Sequence, residues 1–345
     1  MTVFKRKICI YNYFCYLAQI VENSNKAANE RIKTLESFLN SLKEKTSDIL
    51  FFDFSDYEDL SVIGSGATSE VKVVRKKKSE KYAMKELKLF DHKSMQRFLA
   101  ECEILFKLRH PCIVRIYGIN YGDDTHKPSI ILSLEPESLE AAINGQKLSD
   151  EEKNRISVEI VLGMRYIHRQ KFMHRDLKPL NILLSKNHHV RITDFGLAKE
   201  EDMSTSQSKG VGTMRFMAPE LFEENESGTN YTNKIDVYSF GIILIFIVTN
   251  KYPQFSMRKA ILGVPPELPE NVTKWVCELI VSCLSVDPEN RPSFAEIFEI
   301  MKENNFDMFN ESKNQKLTKK QLSMKENIEA RVLKIEAFEF QHEQK

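Results

Sequence analysis

Two short strings constrain this chain more than anything else in it. His174-Arg175-Asp176-Leu177-Lys178-Pro179-Leu180-Asn181 places a carboxylate and, five residues on, a carboxamide in one segment. Asp194-Phe195-Gly196 then adds a second carboxylate, preceded by Ile192-Thr193. Asp176 can accept a proton from a hydroxyl, and Asn181 and Asp194 offer the oxygen ligands that a small hard cation prefers. Either string alone could arise by chance. In this order and at this spacing, the two together offer a proton acceptor beside a pair of oxygen ligands for a divalent cation.

Composition narrows the setting. At 345 residues the chain has room for one or two domains, and 42% apolar residues can build a sizeable core. With 50 basic against 49 acidic residues the formal charge is +1, so no global field recruits nucleic acid or anionic lipid. The six cysteines (Cys9, Cys15, Cys102, Cys112, Cys277, Cys283) form no CxxC and no metal-type pairing with histidine. They read as free thiols in a reducing compartment, which suggests the cytoplasm. Ile8–Val21 follows a basic start, but it carries Asn12 and Gln19 and has no small-residue cleavage site. Ile242–Val248 is too short to span a bilayer.

Along the chain, residues 24–45 read as an amphipathic helix with Ile32, Leu35, Leu39 and Leu42 in near-heptad register. An acidic and aromatic connector, 48–59, leads into β-rich sequence at Leu60–Ile63, Val71–Arg75 and Tyr82–Glu86. A helix carrying Met95, Phe98, Leu99, Cys102, Leu105 and Phe106 follows, and then strands at Val114–Tyr117 and Ile130–Leu134. From residue 149 the pattern turns helical. Ser149 and Glu152 make a capping box for a helix with the stripe Ile156, Ile160, Met164 and Ile167. Asp236–Thr249 is apolar on nearly all sides, as a helix buried in a large core would be. The segment 307–345 is charged, with a weak stripe of Ile328, Val332 and Ile335 that suits a solvated helix, a partner-binding helix or disorder.

Further strings carry chemistry. Ile63-Gly64-Ser65-Gly66-Ala67-Thr68-Ser69-Glu70-Val71 is a glycine-rich turn between two strands, and its backbone N–H groups can approach phosphate oxygens with no Cβ in the way. An ordinary hairpin turn would look the same. Lys85 ends Tyr82-Ala83-Met84-Lys85, and Glu101 lies sixteen residues on, in the helix. Glu103 competes for it but points about 200° away around that helix. Ala218-Pro219-Glu220, Asp236-Val237-Tyr238-Ser239-Phe240-Gly241 and Asp287-Pro288-Glu289-Asn290-Arg291-Pro292 complete the set.

Taken together, these strings resemble a eukaryotic-type protein kinase over residues 57–303. The resemblance implies an α+β bilobal fold: a small lobe of five strands and one main helix (57–135), and a larger, mostly helical lobe (136–303). The flanks are an N-terminal helical extension (1–56) and a charged tail (304–345).

It also implies roles. Asp176 is the catalytic carboxylate, and Lys178 neutralises the transferred phosphate. Asn181 and Asp194 hold Mg2+. Lys85, fixed by Glu101, grips the ATP phosphates, with Ile63, Gly64, Ser65 and Gly66 above them. Val71, Ala83 and Leu183 sandwich adenine against a hinge at Ser133, Leu134 and Glu135, with Leu132 as gatekeeper. The hinge spelling departs from the common one and leaves the register open by one or two residues, and Ser69 stands where the third glycine usually is. His174 belongs to a packed column with Leu105, Ile116 and Phe195. Glu220 pairs with Arg291, and Asp236 accepts catalytic-loop amides.

Asp194–Glu220 reads as an activation segment whose Ser204, Thr205, Ser206 and Ser208 are candidate phosphorylation sites within reach of Arg175. Thr213 is instead the segment threonine, expected to bond near Asp176 and Lys178. The spelling at Lys178 and Gly212-Thr213 before Met214–Glu220 favour serine/threonine over tyrosine specificity, and Asp236–Gly241 with Arg215–Glu220 resembles the tyrosine-kinase-like group. Dual specificity stays open. A scaffold without catalysis would predict loss of Lys85, Asp176 or Asp194, and none is lost. A small-molecule phosphotransferase is disfavoured by Ala218-Pro219-Glu220 and Asp287–Pro292. The expected partners are protein substrates and a helix-mediated partner at either extension, with no nucleic acid and no membrane insertion.

Overall fold

Alternation of apolar and polar residues through β2 (Ser69–Lys76) and β3 (Lys81–Leu87) gives each strand two distinct faces. The computed structural model describes residues 52–66, 68–77, 80–88, 92–120, 122, 125–200, 214–222, 231–254, 257–264, 266–268, 270–310 and 317–343. They fall into two units. One holds the described residues up to Glu103 together with Arg115–Leu134, and the other holds Ile104–Val114 and those from Glu135 onward. The expected helix at 24–45 lies outside the described residues.

In the first unit, β1 (Tyr57–Ser65), β2, β3, β4 (Ile116–Asn120) and β5 (Ser129–Ser133) form an antiparallel sheet in the order β1-β2-β3-β5-β4. Register puts Val73, Ala83 and Leu132 opposite one another, and Lys85 opposite Val71 and Ile130. On the other face, Phe52, Val74, Met84 and Ile131 form a core with Phe54, Tyr57, Tyr82 and Tyr117 packed against it. The aromatic end of the connector therefore covers one face of the sheet. Phe52 is held there by its carbonyl, which accepts from Asn120 Nδ2 at 2.7 Å. The other face takes helix α1 (His92–Lys107), whose Met95, Phe98, Leu99 and Cys102 are buried. The strand expected from Val114 starts two residues later, because the Val114 N–H donates to the Ile192 carbonyl at 2.9 Å.

The second unit opens with a two-residue strand, β6 (Glu137–Ser138), and a short helix, α2 (Leu139–Asn144). The long α3 (Asp150–Arg169) then starts on the Ser149 and Glu152 capping box. Its expected stripe of Ile156, Ile160, Met164 and Ile167 is fully buried, but so are Val158, Val161 and Leu162. Burial runs right round the helix because other helices and a strand pack on more than one side of it. After β7 (Phe172–Met173), strands β8 (Ile182–Leu184) and β9 (Val190–Ile192) form a hairpin, and β10 (Lys199–Glu200) pairs with β7. Helix α4 (Lys234–Thr249) is buried from Ile235 to Ile247, with α5 (Met257–Ile261), α6 (Lys274–Cys283) and α7 (Phe294–Glu303) after it. The charged C-terminal segment forms α8 (Lys319–Glu343), and its stripe of Ile328, Val332 and Ile335 is 2%, 7% and 0% exposed. It covers the chain's own α3.

Candidate active site

Strand β3 and helix α1 position the expected residues of the first unit. Lys85 Nζ lies 2.6 and 2.8 Å from the two carboxylate oxygens of Glu101, and Glu101 is only 4% exposed. Glu103 is partly buried elsewhere on the helix. The glycine turn ends a strand broken by two register shifts, at Asp59/Ser61 and Val62/Gly64. A Cβ added at Gly64 or Gly66 would meet only ordinary contacts, the nearest at 3.7 Å. The fold itself therefore does not demand glycine at either position. Lys88 reaches the turn through Ser65 Oγ and, at 3.1 Å, the Gly66 carbonyl. Ile63 and Ser65 are exposed, Val71 is partly covered and Ala83 is buried. Leu132 is buried, and the division between the two units falls between Leu134 and Glu135, both partly buried.

The β8–β9 hairpin positions those of the second unit. Asn181 precedes β8 and Thr193-Asp194 follows β9, so antiparallel pairing brings both to the same end of the hairpin. The Thr193 N–H donates to the Asn181 carbonyl at 2.9 Å and locks that end. Asn181 Nδ2 donates to the Asp176 carbonyl at 2.8 Å and to its Oδ2 at 3.0 Å, while Lys178 Nζ lies 2.6 Å from the same Oδ2. Leu183, one step into β8, is partly covered, and Glu135 Oε1 lies 3.8 Å from Arg191 Nε.

His174 ties the two loops together. Its Nδ1 accepts from the Asp176 N–H at 3.3 Å and its Nε2 donates to the Thr193 carbonyl at 3.0 Å, a pattern that selects the neutral Nε2–H tautomer. The ring lies 5.0 Å from Phe195, and Phe195 and Leu105 are buried. Ile116, the fourth residue expected in that column, is in β4 of the sheet unit. Arg175 and Asp194 both take left-handed backbone angles, φ +68° and +67°, at positions without glycine. Such strain persists only where surrounding structure enforces it.

At Arg175 the enforcement comes from Asp236. Its Oδ2 accepts the His174 N–H and its Oδ1 the Arg175 N–H, both at 2.8 Å, and His168 Nε2 is 2.9 Å away. Full burial alone would raise the Asp236 carboxyl, yet the His168 bond and the amides hold it below its ordinary range. Arg291 is fully buried and uses all five N–H donors: two on Glu220 at 2.7 Å, and one each on the carbonyls of Ser285, Lys234 and Val286. Ser204, Thr205, Ser206, Ser208 and Thr213 lie outside the described residues.

The donor set suits a small hard cation. Asn181 spends its amide hydrogens on Asp176, so its Oδ1 is the atom with ligand chemistry, and Asp194 supplies a carboxylate at the same hairpin end. Among the described residues no three acidic, histidine or cysteine side chains are grouped so as to hold a metal ion by themselves. Few protein ligands suit magnesium, which completes its shell with water and phosphate.

Sequence reading missed His168, Lys88 and two α3 side chains that hold the β8–β9 turn: Arg155, which donates to the Asn187 and His188 carbonyls, and Glu159, which accepts the Val190 N–H. Lys88 and the Ser65-Gly66 pair are more than twenty residues apart, and no local pattern announces their contact.

The protein kinase domain model matches residues 57–302. A probable serine/threonine-protein kinase of Dictyostelium discoideum is 33% identical over 236 residues, covering 64% of this chain and 25% of the relative. A second from that organism is 34% identical over 68% of this chain and 23% of its own length. The serine/threonine-protein kinase AtPK2/AtPK19 of Arabidopsis thaliana is 35% identical over 70% of this chain and 53% of its own. The chain thus spans about a quarter to a half of the length of the curated relatives it matches. Among the described residues, no helix is long and apolar enough to cross a membrane. The matched span covers most of the chain and contains Lys85, Glu101, Asp176, Asn181, Asp194, Asp236 and Arg291, and the chain belongs to the protein kinase domain family.

Proposed function

We propose that this protein is a protein serine/threonine kinase that transfers the γ-phosphate of ATP to protein hydroxyls with Mg2+. One observation carries the reading: Asp176, Lys178 and Asn181 are hydrogen-bonded into a single knot at the hairpin end that also presents Asp194. Asp176 orients the acceptor hydroxyl and takes its proton. Lys178, now 2.6 Å from Asp176, shifts toward charge developing on the transferred group. Lys85, buttressed by Glu101, holds the α- and β-phosphates under the turn of Ile63, Gly64, Ser65 and Gly66. Asn181 Oδ1 and Asp194 are the magnesium ligands. Bound magnesium supplies charge neutralisation on the phosphates. Val71, Ala83 and Leu183 are the apolar contacts for adenine, and the unit boundary after Leu134 supports a hinge at Leu134 and Glu135.

Regulation follows from Arg175. Burial lowers its pKa, so an anion placed beside it is favoured, and phosphate on Ser204, Thr205, Ser206 or Ser208 is the natural anion. Met214–Glu220 and Asp236–Gly241 support membership of the tyrosine-kinase-like group, with cytoplasmic protein substrates. The test is Asp176→Asn. Folding and nucleotide binding should persist while phosphotransfer to a degenerate peptide library falls by roughly three orders of magnitude. Turnover within about threefold of the parent would remove Asp176 from the mechanism.

A further inference from the structure

Helix α8 lies along α3 in a ladder of contacts that run in the same chain direction. Lys320 meets Glu151 at 3.1 Å and Met324 Sδ accepts from Asn154 at 3.1 Å. Arg331 meets Glu159 at 2.8 Å, Glu336 meets Arg165 at 3.5 Å, and Glu339 meets Arg169 at 3.1 Å. Met324, Ile328, Val332, Ile335 and Glu339 are all buried on its inner face. The Lys320 and Glu336 ion pairs lie at the rim, where such a pair contributes little. Two of the other charged contacts do not.

Glu159 is 1% exposed and carries three bonds: Arg331 Nε at 2.8 Å, His189 Nδ1 at 2.7 Å and the Val190 N–H at 2.7 Å. The last two belong to the start of β9, the strand that delivers Thr193 and Asp194. The second rung is Glu339, which meets the fully buried side chain of His110 at 3.0 Å. His110 Nδ1 accepts the Cys112 N–H at 3.0 Å, the Cys112 carbonyl accepts the Ile192 N–H at 2.8 Å, and the Ile192 carbonyl accepts the Val114 N–H at 2.9 Å. Both chains of contact therefore end on the same three-residue strand, one at Val190 and one at Ile192.

We infer that Arg331 and Glu339 of the C-terminal helix are positioning residues for phosphotransfer, which hold β9 in register and so fix Asp194 against Asn181. The inference rests on the reading of Asn181 and Asp194 as the cation ligands. Neither residue touches the reacting atoms. Arg331 supplies the counter-charge that, beside the His189 bond, keeps a carboxylate buried beneath Val190, and without it His189 and the Val190 N–H carry that carboxylate alone. That loss loosens the amide that anchors the strand. Residues 319–343 are then part of the working domain, although the kinase family match ends at 302.

The full-length chain tests this with Arg331→Met, Arg331→Lys, Glu339→Gln and the rim control Glu336→Gln. Amide hydrogen exchange is followed without nucleotide, and phosphotransfer is titrated with magnesium below the melting temperature. Arg331→Met should speed exchange across Val190–Asp194 about tenfold while α4 and α6 exchange as in the parent. It should lower kcat and raise the magnesium needed for half-maximal rate, with the peptide KM unchanged. Arg331→Lys should restore most of both, and Glu336→Gln should change neither. If Arg331→Met does not fold, Glu339→Gln, which keeps the shape and loses the charge, carries the same comparison through Cys112–Val114 and Ile192. Parent-like exchange at 190–194, or faster exchange spread evenly over the helical unit, overturns the inference. A parent with no kinase activity would refute the proposed function instead and leave the exchange comparison standing.

Discussion

Replacing Glu220 with leucine isolates the energetics of the buried guanidinium of Arg291. That side chain is fully buried, whereas Glu220 keeps 16% of its side chain exposed. Removing the carboxylate leaves a cation with only carbonyl partners and no access to water. Breaking a buried pair in this way costs about 3–5 kcal/mol. Each kcal/mol lowers the melting temperature of a domain this size by about 2–4 °C, so a fall of roughly 6–20 °C is expected. The chain has one tryptophan, Trp275, buried in α6 of the same unit with its Nε1 donating to the Asp307 carbonyl at 3.2 Å. Its fluorescence therefore reports unfolding of the unit in question. Adding Arg291→Met to the Glu220→Leu background removes the stranded charge, although the carbonyls of Ser285, Lys234 and Val286 lose their donors. The double variant should lose about 1–3 kcal/mol less than the sum of the two single losses. Strict additivity, or a Glu220→Leu melt within about 2 °C of the parent, would refute the argument.

Other outcomes follow from the same geometry. Lys85→Met should weaken ATP-induced thermal stabilisation with or without magnesium, whereas Asp194→Ala should abolish only its magnesium-dependent part; a full magnesium-dependent shift in Asp194→Ala would remove that ligand from the site. Phosphatase treatment should lower activity and incubation with ATP restore it, while alanine at Ser204, Thr205, Ser206 and Ser208 leaves a low basal rate that neither treatment changes. A quadruple variant as active as the parent refutes the switch. Stability should also fall on the acid side. Burial outweighs the pull of Glu339 and holds His110 below its ordinary 6.5, so the unfolded chain takes up this proton first and stability drops as pH falls through that value. Glu159, Glu339 and Asp236 are held below their ordinary ranges, and their contribution, complete above about pH 5, is lost at lower pH. His110→Gln should flatten the slope between about pH 7 and 5.5, and an unchanged slope would show that His110 is not its source.

The strands and helices were legible because each carries its own periodic signal. The capping box at Ser149 and Glu152 and the all-round apolar run after Asp236 are local facts that the fold has no reason to override. The pairing of Lys85 with Glu101 was legible too, since a strand and the next helix leave few geometries for residues sixteen apart. Local pattern fails where a contact joins distant segments. Val114 reads as strand, yet its amide is claimed by Ile192, far along the chain, and the strand starts later. The stripe of Ile328, Val332 and Ile335 marked a helix face without naming what covers it. That Arg331 meets Glu159 across 172 residues of sequence, and Glu339 meets His110 across 229, was decided by tertiary structure alone. Periodicity specifies that a face will be buried. A buried charge has to find its counter-charge wherever the packed chain brings one near, and sequence spacing carries no record of that.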